Sequence, residues 1–230
     1  MIKRHLKRLA APRSWKIKRK GITFITRPKP GAHPLDEAIS LNVILKDILK
    51  YATTTREVKK IIANKEIIVD GLRRKEHRFM VGFMDVLTIP ELKVHYRMLI
   101  NKKGELVLVK IDDKETKIKL CRIKNKSLVG DKIQLNLFDS RNILVDKNTD
   151  YKIGDTLVIE VPSQKIVHHL KLERGAVVFI SKGKKVGSIG RIDTLGSDGV
   201  TCKKENGDII ETKKEYAFVV GKDKPLIKFE

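Results

Sequence analysis

Cysteine is nearly absent from this chain of 230 residues: Cys121 and Cys202 are the only two, and they form no Cys-x-x-Cys pair. That counts against a disulfide framework and against a thiolate zinc site, and both thiols read as reduced core residues. Aromatic residues make up only 5% of the chain, so no single large aromatic core is implied. No apolar run approaches the roughly 18 residues of a membrane span, and the N-terminus carries no apolar signal region. A cytoplasmic protein without a membrane partner is expected. A basic helix lying on a membrane surface is the alternative, but Pro12, Pro28, Pro30 and Pro34 interrupt the only stretch that could form it.

Catalytic signatures are also missing. His5, His33, His77, His95, His168 and His169 are scattered, with no His-Glu-x-x-His and no Gly-x-Ser-x-Gly. His168 and His169 are adjacent on an expected strand, so they point to opposite faces and cannot easily chelate one ion. Asp112 and Asp113 sit beside lysines in an expected turn and read as solvated acids. The basic, glycine-rich stretch Gly183–Gly190, "GKKVGSIG", invites comparison with a phosphate loop. However, the residue five after Gly183 is Ser188, no Gly-Lys-Ser/Thr follows, and the flanks are β-like. The dinucleotide fingerprint fails too, because Gly183, Gly187 and Gly190 are spaced four and three apart. No catalytic residue, metal, cofactor or small-molecule substrate is expected.

What the chain does have is positive charge, a net +22 with a pI near 10. The partner this implies is a polyanion. Half of the excess lies in residues 1–35, which hold eleven Lys and Arg before the first acid, Asp36. Such an arm repels itself and is expected to order only on an anion. Its sole tryptophan, Trp15, either docks onto the adjacent domain or stacks on a base or an arginine.

From Asp36 the period becomes helical: Ala38, Leu41, Leu45, Ile48 and Leu49 share one face, with Ile44 beside them. Thr54-x-x-Glu57 is a capping box for a second helix with apolar Val58, Ile61 and Ile62. "EIIVDG" (66–71) reads as a strand with an Asp70-Gly71 hairpin turn, and "VGFMDVLTI" (81–89) closes the unit. Residues 95–172 look all-β, with seven strand candidates from "YRMLI" to "KIVHHLKL", a hairpin turn at "NKKGE" and a short helical turn at "DDKET". The alternating lysines of "KETKIKLCRIKNK" are either a solvated sheet face or an RNA face. Five short apolar runs in residues 173–222, "AVVFI", "SIGRID", "GVTCKK", "DIIETK" and "YAFVVG", suit a small closed barrel. The expected division is an arm (1–35), a helical unit (36–94), a β-rich middle (95–172), a barrel (173–222) and a tail (223–230).

Two segments resemble known RNA-binding families. "RGAVVFISKGKKVGSIGRI" resembles the KOW motif, which implies a Src-homology-type barrel with Lys182, Lys184, Lys185 and Arg191 as phosphate contacts. "ATTTREVKKIIANKEIIVDG" followed by "VGFMDVLTI" is similar to the S-four, or alpha-L, RNA-binding fold. That likeness implies contacts from Thr55, Arg56, Lys59, Lys60 and Lys65, extended by Arg73, Arg74 and Lys75; a merely solvated helix face is the alternative. The sequence departs from the pattern at Gly82-Phe83-Met84-Asp85, where the family often has Gly-Asp, so a longer turn is expected there.

The order of parts, from the arm "HLKRLAAPRSW" through "LKYATT" and "GFMDV" to the C-terminal glycine-rich unit, resembles the archaeal and eukaryotic small-subunit ribosomal protein S-four-e family over essentially the whole chain. The Lys/Ile-rich composition points to an archaeal-type member. The resemblance implies an α+β multidomain protein: an alpha-L domain, a β-rich central domain and a five-stranded KOW barrel. It implies a non-enzymatic, ribosome-bound constituent of the small subunit whose partners are ribosomal RNA and neighbouring ribosomal proteins. The arm, through Lys3, Arg4, Lys7, Arg8, Arg13, Trp15 and Lys16, would thread between RNA helices. The alternatives are an accessory of an RNA-modification enzyme and a free KOW-type transcription or translation factor. Residues 95–172 offer the former no glycine-rich nucleotide loop and no βαβ pattern.

Overall fold

The computed structural model describes residues 5–204 and 206–229, so Lys3 and Arg4 lie outside the described residues. The protein is mostly β, with few helices and several sheets. It divides into two compact units, residues 1–99 with 105–116 and residues 100–104 with 117–230.

In the first unit the arm folds back on itself. Strands β1 (Leu6–Lys7) and β2 (Phe24–Ile25) pair antiparallel. Between them Trp15 is only 2% exposed, forms a parallel bridge to Leu106 and donates its Nε1–H to the Leu35 carbonyl at 3.3 Å. The docking alternative for Trp15 is the one realised. Within this unit the arm is held by apolar burial at Trp15 and by the pairing of Arg8 with Asp47.

The first helix starts later than its periodicity suggests. Residues Ala38–Ser40 form strand β3, and the Ser40 hydroxyl accepts from the Val43 amide at 3.4 Å, capping α1 (Leu41–Val43). The helix then widens into a π-helical turn over Ile44–Ile48. Ala38 lies outside the helix because the N-cap sits two residues after it. The second helix, α2 (Thr55–Asn64), begins where the capping box places it and packs against α1 and the π turn.

Strands β4 (Ile68–Val69) and β5 (Leu72–Arg73) are joined by Asp70 and Gly71, both at positive φ (50° and 75°), as a tight hairpin turn requires. "VGFMDVLTI" is not one strand. Residues Met80–Gly82 form β6 and pair with β3, whereas Val86–Ile89 form β7 and pair with β4. The extra residues of the turn switch the chain between sheets, with Met84 at φ 65°.

A one-turn 3-10 helix (Pro90–Leu92) and Lys93 at φ 51° then return the chain as β8 (Val94–Ile100), in register Val86↔Arg97 with β7. The boundary expected at 94/95 thus falls inside a hairpin. Strand β9 (Leu106–Lys110) and helix α3 (Asp113–Thr116) also belong to the first unit, whose main sheet has the order β5-β4-β7-β8-β9.

The second unit contains two five-stranded sheets. In the first, β10 (Ile118–Val129) is shared: its early residues pair with β13 (Thr156–Glu160) and its later ones with β11 (Lys132–Leu137), with an irregularity between Ile123 and Asn125. Strands β12 (Asn142–Asp146) and β14 (Ile166–Leu170) form its edges. Cys121, Ile123, Leu135, Leu137, Leu157, Ile159 and Val161 fill its core. The alternating lysines of β10 are split by this bend. Lys119 is buried with its Nζ 3.1 Å from Asp139 Oδ2, while Lys124 is exposed. The segment is therefore not one uniform face.

The C-terminal sheet comprises β15 (Val177–Ile180), β16 (Ile189–Leu195), β17 (Gly199–Lys203), β18 (Ile209–Lys213) and β19 (Ala217–Gly221), in the order β18-β17-β16-β15-β19. The glycine-rich loop before β16 has a steric reason. Gly187 sits at φ 75°, and a Cβ on it would lie 2.5 Å from the Asn101 carbonyl carbon and oxygen.

Candidate nucleic-acid interface

The capping box of α2 is complete. Thr54 Oγ1 accepts from the Glu57 amide at 3.2 Å, and Glu57 accepts from the Thr53 amide at 2.8 Å and from the Thr54 hydroxyl at 2.9 Å. The Thr53 amide first, then the two threonine hydroxyls, hold the Glu57 carboxyl below its ordinary value. With the start fixed, Val58 and Ile62 are buried on one face and Ile61 is half-buried. Arg56, Lys59 and Lys60 are exposed and have no ion-pair partner among the described residues. Residues three and four apart share a helix face, so these cations are presented together.

The other residues expected on this surface are more engaged. Thr55 is half-buried and its Oγ1 accepts from Asn42 Nδ2 at 3.3 Å, so its hydroxyl serves the helix packing. Lys65 is exposed but lies 2.6 Å from Glu91 Oε2, and Arg73 lies 3.8 Å from Glu66 Oε1. The Arg74 guanidinium sits over the Phe79 ring, 4.3 Å from its centroid. Lys75 is exposed.

Three further basic groups gather near Lys59. Burial pushes the His77 imidazole below its ordinary value, and the positive charges of Lys59, Arg78 and Lys29 push in the same direction against the raising effect of Glu76. Lys29 is joined to Arg78 by a backbone hydrogen bond of 2.9 Å and pairs with Glu76. The sequence offered no signal for this cluster, because its members come from the arm, α2 and the loop before β6.

The arm contributes less than its composition suggests. Lys7, Arg13 and Lys16 are exposed, but Arg8 is 4% exposed. Both of its terminal nitrogens donate to Asp47 Oδ1 at 3.1 Å, and Nη1 also donates to the Lys18 carbonyl at 2.9 Å. Arg8 and Trp15 are corrected from RNA contacts to structural anchors, because neither presents a free face.

In the second unit Lys182, Lys184 and Lys185 are exposed. Arg191 is exposed and donates to the Asp223 carbonyl at 3.1 Å. It lines a cleft of about 680 Å³ together with Lys102, Lys203, Lys204 and Lys224, which sequence reasoning did not single out. Among the described residues no group of three or more His, Cys, Asp and Glu is placed to hold a metal ion, and no helix is long and apolar enough to cross a membrane.

Comparison with known proteins places the chain in a family. Residues 92–166 match the family described as Ribosomal family S4e, and residues 2–36 match the RS4NT (NUC023) domain. The small ribosomal subunit protein eS4 of Methanocaldococcus jannaschii is 44% identical, covering 98% of this chain and 97% of that one. Its counterpart in Methanococcus maripaludis strain S2 is 43% identical with the same coverage. The crystal structure of the 30S ribosomal protein S4e from Thermoplasma acidophilum superposes with a TM-score of 0.70 at 34% identity, covering 81% of this chain and 96% of that one. With the arm, the middle segment and the full length all matched, the chain belongs to the S4e family of ribosomal proteins.

Proposed function

We propose that this chain is a structural, non-catalytic constituent of the small ribosomal subunit, bound to ribosomal RNA and adjacent ribosomal proteins in the cytoplasm. The observation that carries the reading is the α2 face, where Arg56, Lys59 and Lys60 project from a capped, packed helix without partners among the described residues. Cations held on a rigid element meet phosphates at a smaller ordering cost than the same charges on a flexible segment. Such a surface recognises the shape and backbone of folded RNA, with phosphate contacts supplying most of the affinity.

Within this reading residues 36–94 act as an alpha-L domain whose surface is α2 with Lys65, Arg73 and Arg74 at its margin. Residues 173–222 act as a KOW barrel, with Lys182, Lys184, Lys185 and Arg191 toward RNA. Strands β18 and β19 are the two edges of the C-terminal sheet and are separated by only a one-turn 3-10 helix (Lys214–Tyr216), which supports closure. Lys7, Arg13 and Lys16, together with Lys3 and Arg4, supply the arm's share of phosphate contacts. The relatives named small ribosomal subunit protein eS4 support the assignment to that particle.

Sedimentation of a cell extract at moderate salt tests this. The native protein should travel with the small subunit at about one copy per particle. Migration as a free protein, or with an RNA-modifying enzyme, would contradict the assignment.

A further inference from the structure

The cleft in the second unit has a composition that phosphate neutralisation alone does not explain. Its apolar floor is the half-buried Ile189 and the exposed Pro225, beside the nearly buried Val177. Around it stand five cations, Lys102, Arg191, Lys203, Lys204 and Lys224. Lys102, Lys203 and Lys224 have no ion-pair partner among the described residues. Among the described residues two carboxylates, Asp193 and Asp223, also line the cleft. Asp193 is held by Arg174 at 3.3 Å, and the Asp223 carboxylate lies 3.9 Å from Arg191.

We infer that this cleft receives one unpaired nucleotide of RNA, preferentially one whose base carries an exocyclic amine. The inference rests on the RNA-binding reading above and adds a specific site and ligand to it. A bare phosphate would gain nothing from the apolar floor and would be repelled by both carboxylates. A nucleotide uses all three features. Its phosphate meets the rim lysines, and the base covers the aliphatic floor. The edge of the base then donates to a carboxylate. A carboxylate accepts only and has more acceptor positions than its present single partner fills. It therefore favours the amine of cytosine over the carbonyl at the same position of uracil. A volume of about 680 Å³ accommodates a nucleotide and falls within the usual range of small-ligand sites. A base within A-form duplex RNA is out of reach of side chains in the deep groove, so the occupant is unstacked, as sequence-specific RNA contacts commonly are.

Glycine keeps the site open. A Cβ at Gly190 would lie 3.2 Å from the Lys203 carbonyl oxygen, so the bare position allows β16 and β17 to lie together along one wall. Arg191 is fixed by Asp223, which orients its planar guanidinium at the mouth.

The test uses the full-length protein and three single-stranded probes of equal length: oligocytidylate, oligouridylate and an abasic ribose-phosphate chain. The native protein should bind oligocytidylate roughly three- to ten-fold more tightly than oligouridylate, the range of one added hydrogen bond. The abasic chain should bind most weakly. Asp193→Ala should abolish the cytidine preference without weakening abasic binding. Lys203→Ala with Lys224→Ala should lower affinity for the base-bearing probes and reduce the difference between them and the abasic chain. The same charge loss at Lys184 and Lys185, outside the cleft, should lower all three equally and leave the preference intact. Thermal melts establish that each variant is folded. Equal affinity of the native protein for all three probes would overturn the cleft site while leaving general RNA binding standing. So would a cytidine preference that survives both Asp193→Ala and the Lys203/Lys224 change. Binding to none of the probes would overturn the cleft site alone, since the ribosomal reading rests on folded RNA and is tested by sedimentation.

Discussion

The arm and helix α2 are both rich in cations, yet the fold pairs Arg8 of the arm with an internal acid and leaves the three α2 cations exposed. The arm holds eleven basic residues before its first acid, and by charge density it is the obvious RNA-binding element. Even so, its Arg8 is buried against Asp47, 39 residues away, and its tryptophan is sealed beneath the chain. Helix α2 carries only a few cations, but Arg56, Lys59 and Lys60 are exposed and unpaired among the described residues. Availability of charge is decided by whether the tertiary fold supplies an acid, and local composition does not reveal that.

The largest expected effect breaks the arm's side of this contrast. Trp15→Ala should destabilise the first unit by about 3–5 kcal/mol, the usual cost of emptying a buried tryptophan site. In the native protein the emission of this sole tryptophan should be blue-shifted, shielded from iodide and unchanged on adding RNA. Strong quenching by RNA would mean that the indole stacks on a base after all. Next, Arg8→Ala should cost about 3 kcal/mol, at the low end for breaking a buried ion pair because the Asp47 side chain keeps 17% exposure. Chemical denaturation measures it. Amide exchange should show Arg8, whose N–H bonds to the Thr23 carbonyl at 2.8 Å, protected in the RNA-free native protein and exposed in the variant.

A smaller effect sharpens the α2 side. Thr54→Ala removes the N-cap and should cost about 1 kcal/mol. The same cap has a pH signature. Glu57 titrates below its ordinary value of 4.5 in the folded state. Its contribution is therefore fully present above about pH 4.5 and is lost as the pH falls through the lower, folded value. In an acid titration followed by amide exchange, α2 should retain its first turn at pH 5 and fray below pH 4.5. Fraying that begins well above pH 5 would contradict the cap.

Much of this was legible in the sequence. All seven strand candidates of residues 95–172 and all five of residues 173–222 became strands, because alternation and turn residues are local signals. Thr54-x-x-Glu57 fixed the start of α2 for the same reason. The failures are tertiary. Ala38 continued a helical period but pairs as a strand with Gly82, since Ser40 caps the helix behind it. Residues 95–100 were assigned to the middle domain, but the Pro90–Leu92 turn folds them back onto β7. Lys119 looked like one of a row of surface lysines until Asp139, twenty residues on, buried it. Lys203 and Lys224 become neighbours of Arg191 only when β16, β17 and the C-terminal segment come together. No local pattern marks them.

The central claim is that the α2 cations, and not the arm alone, form the folded RNA contact. The direct measurement is ribosomal RNA affinity over a salt series for the triple variant Arg56→Ala, Lys59→Ala, Lys60→Ala. Each lost phosphate contact should flatten the slope of log affinity against log salt by roughly 0.7–0.9. Stability should be unchanged, since all three side chains are exposed. A folded variant with native affinity and native slope would show that α2 is only a solvated helix surface, and that the contact lies on the arm or the C-terminal sheet.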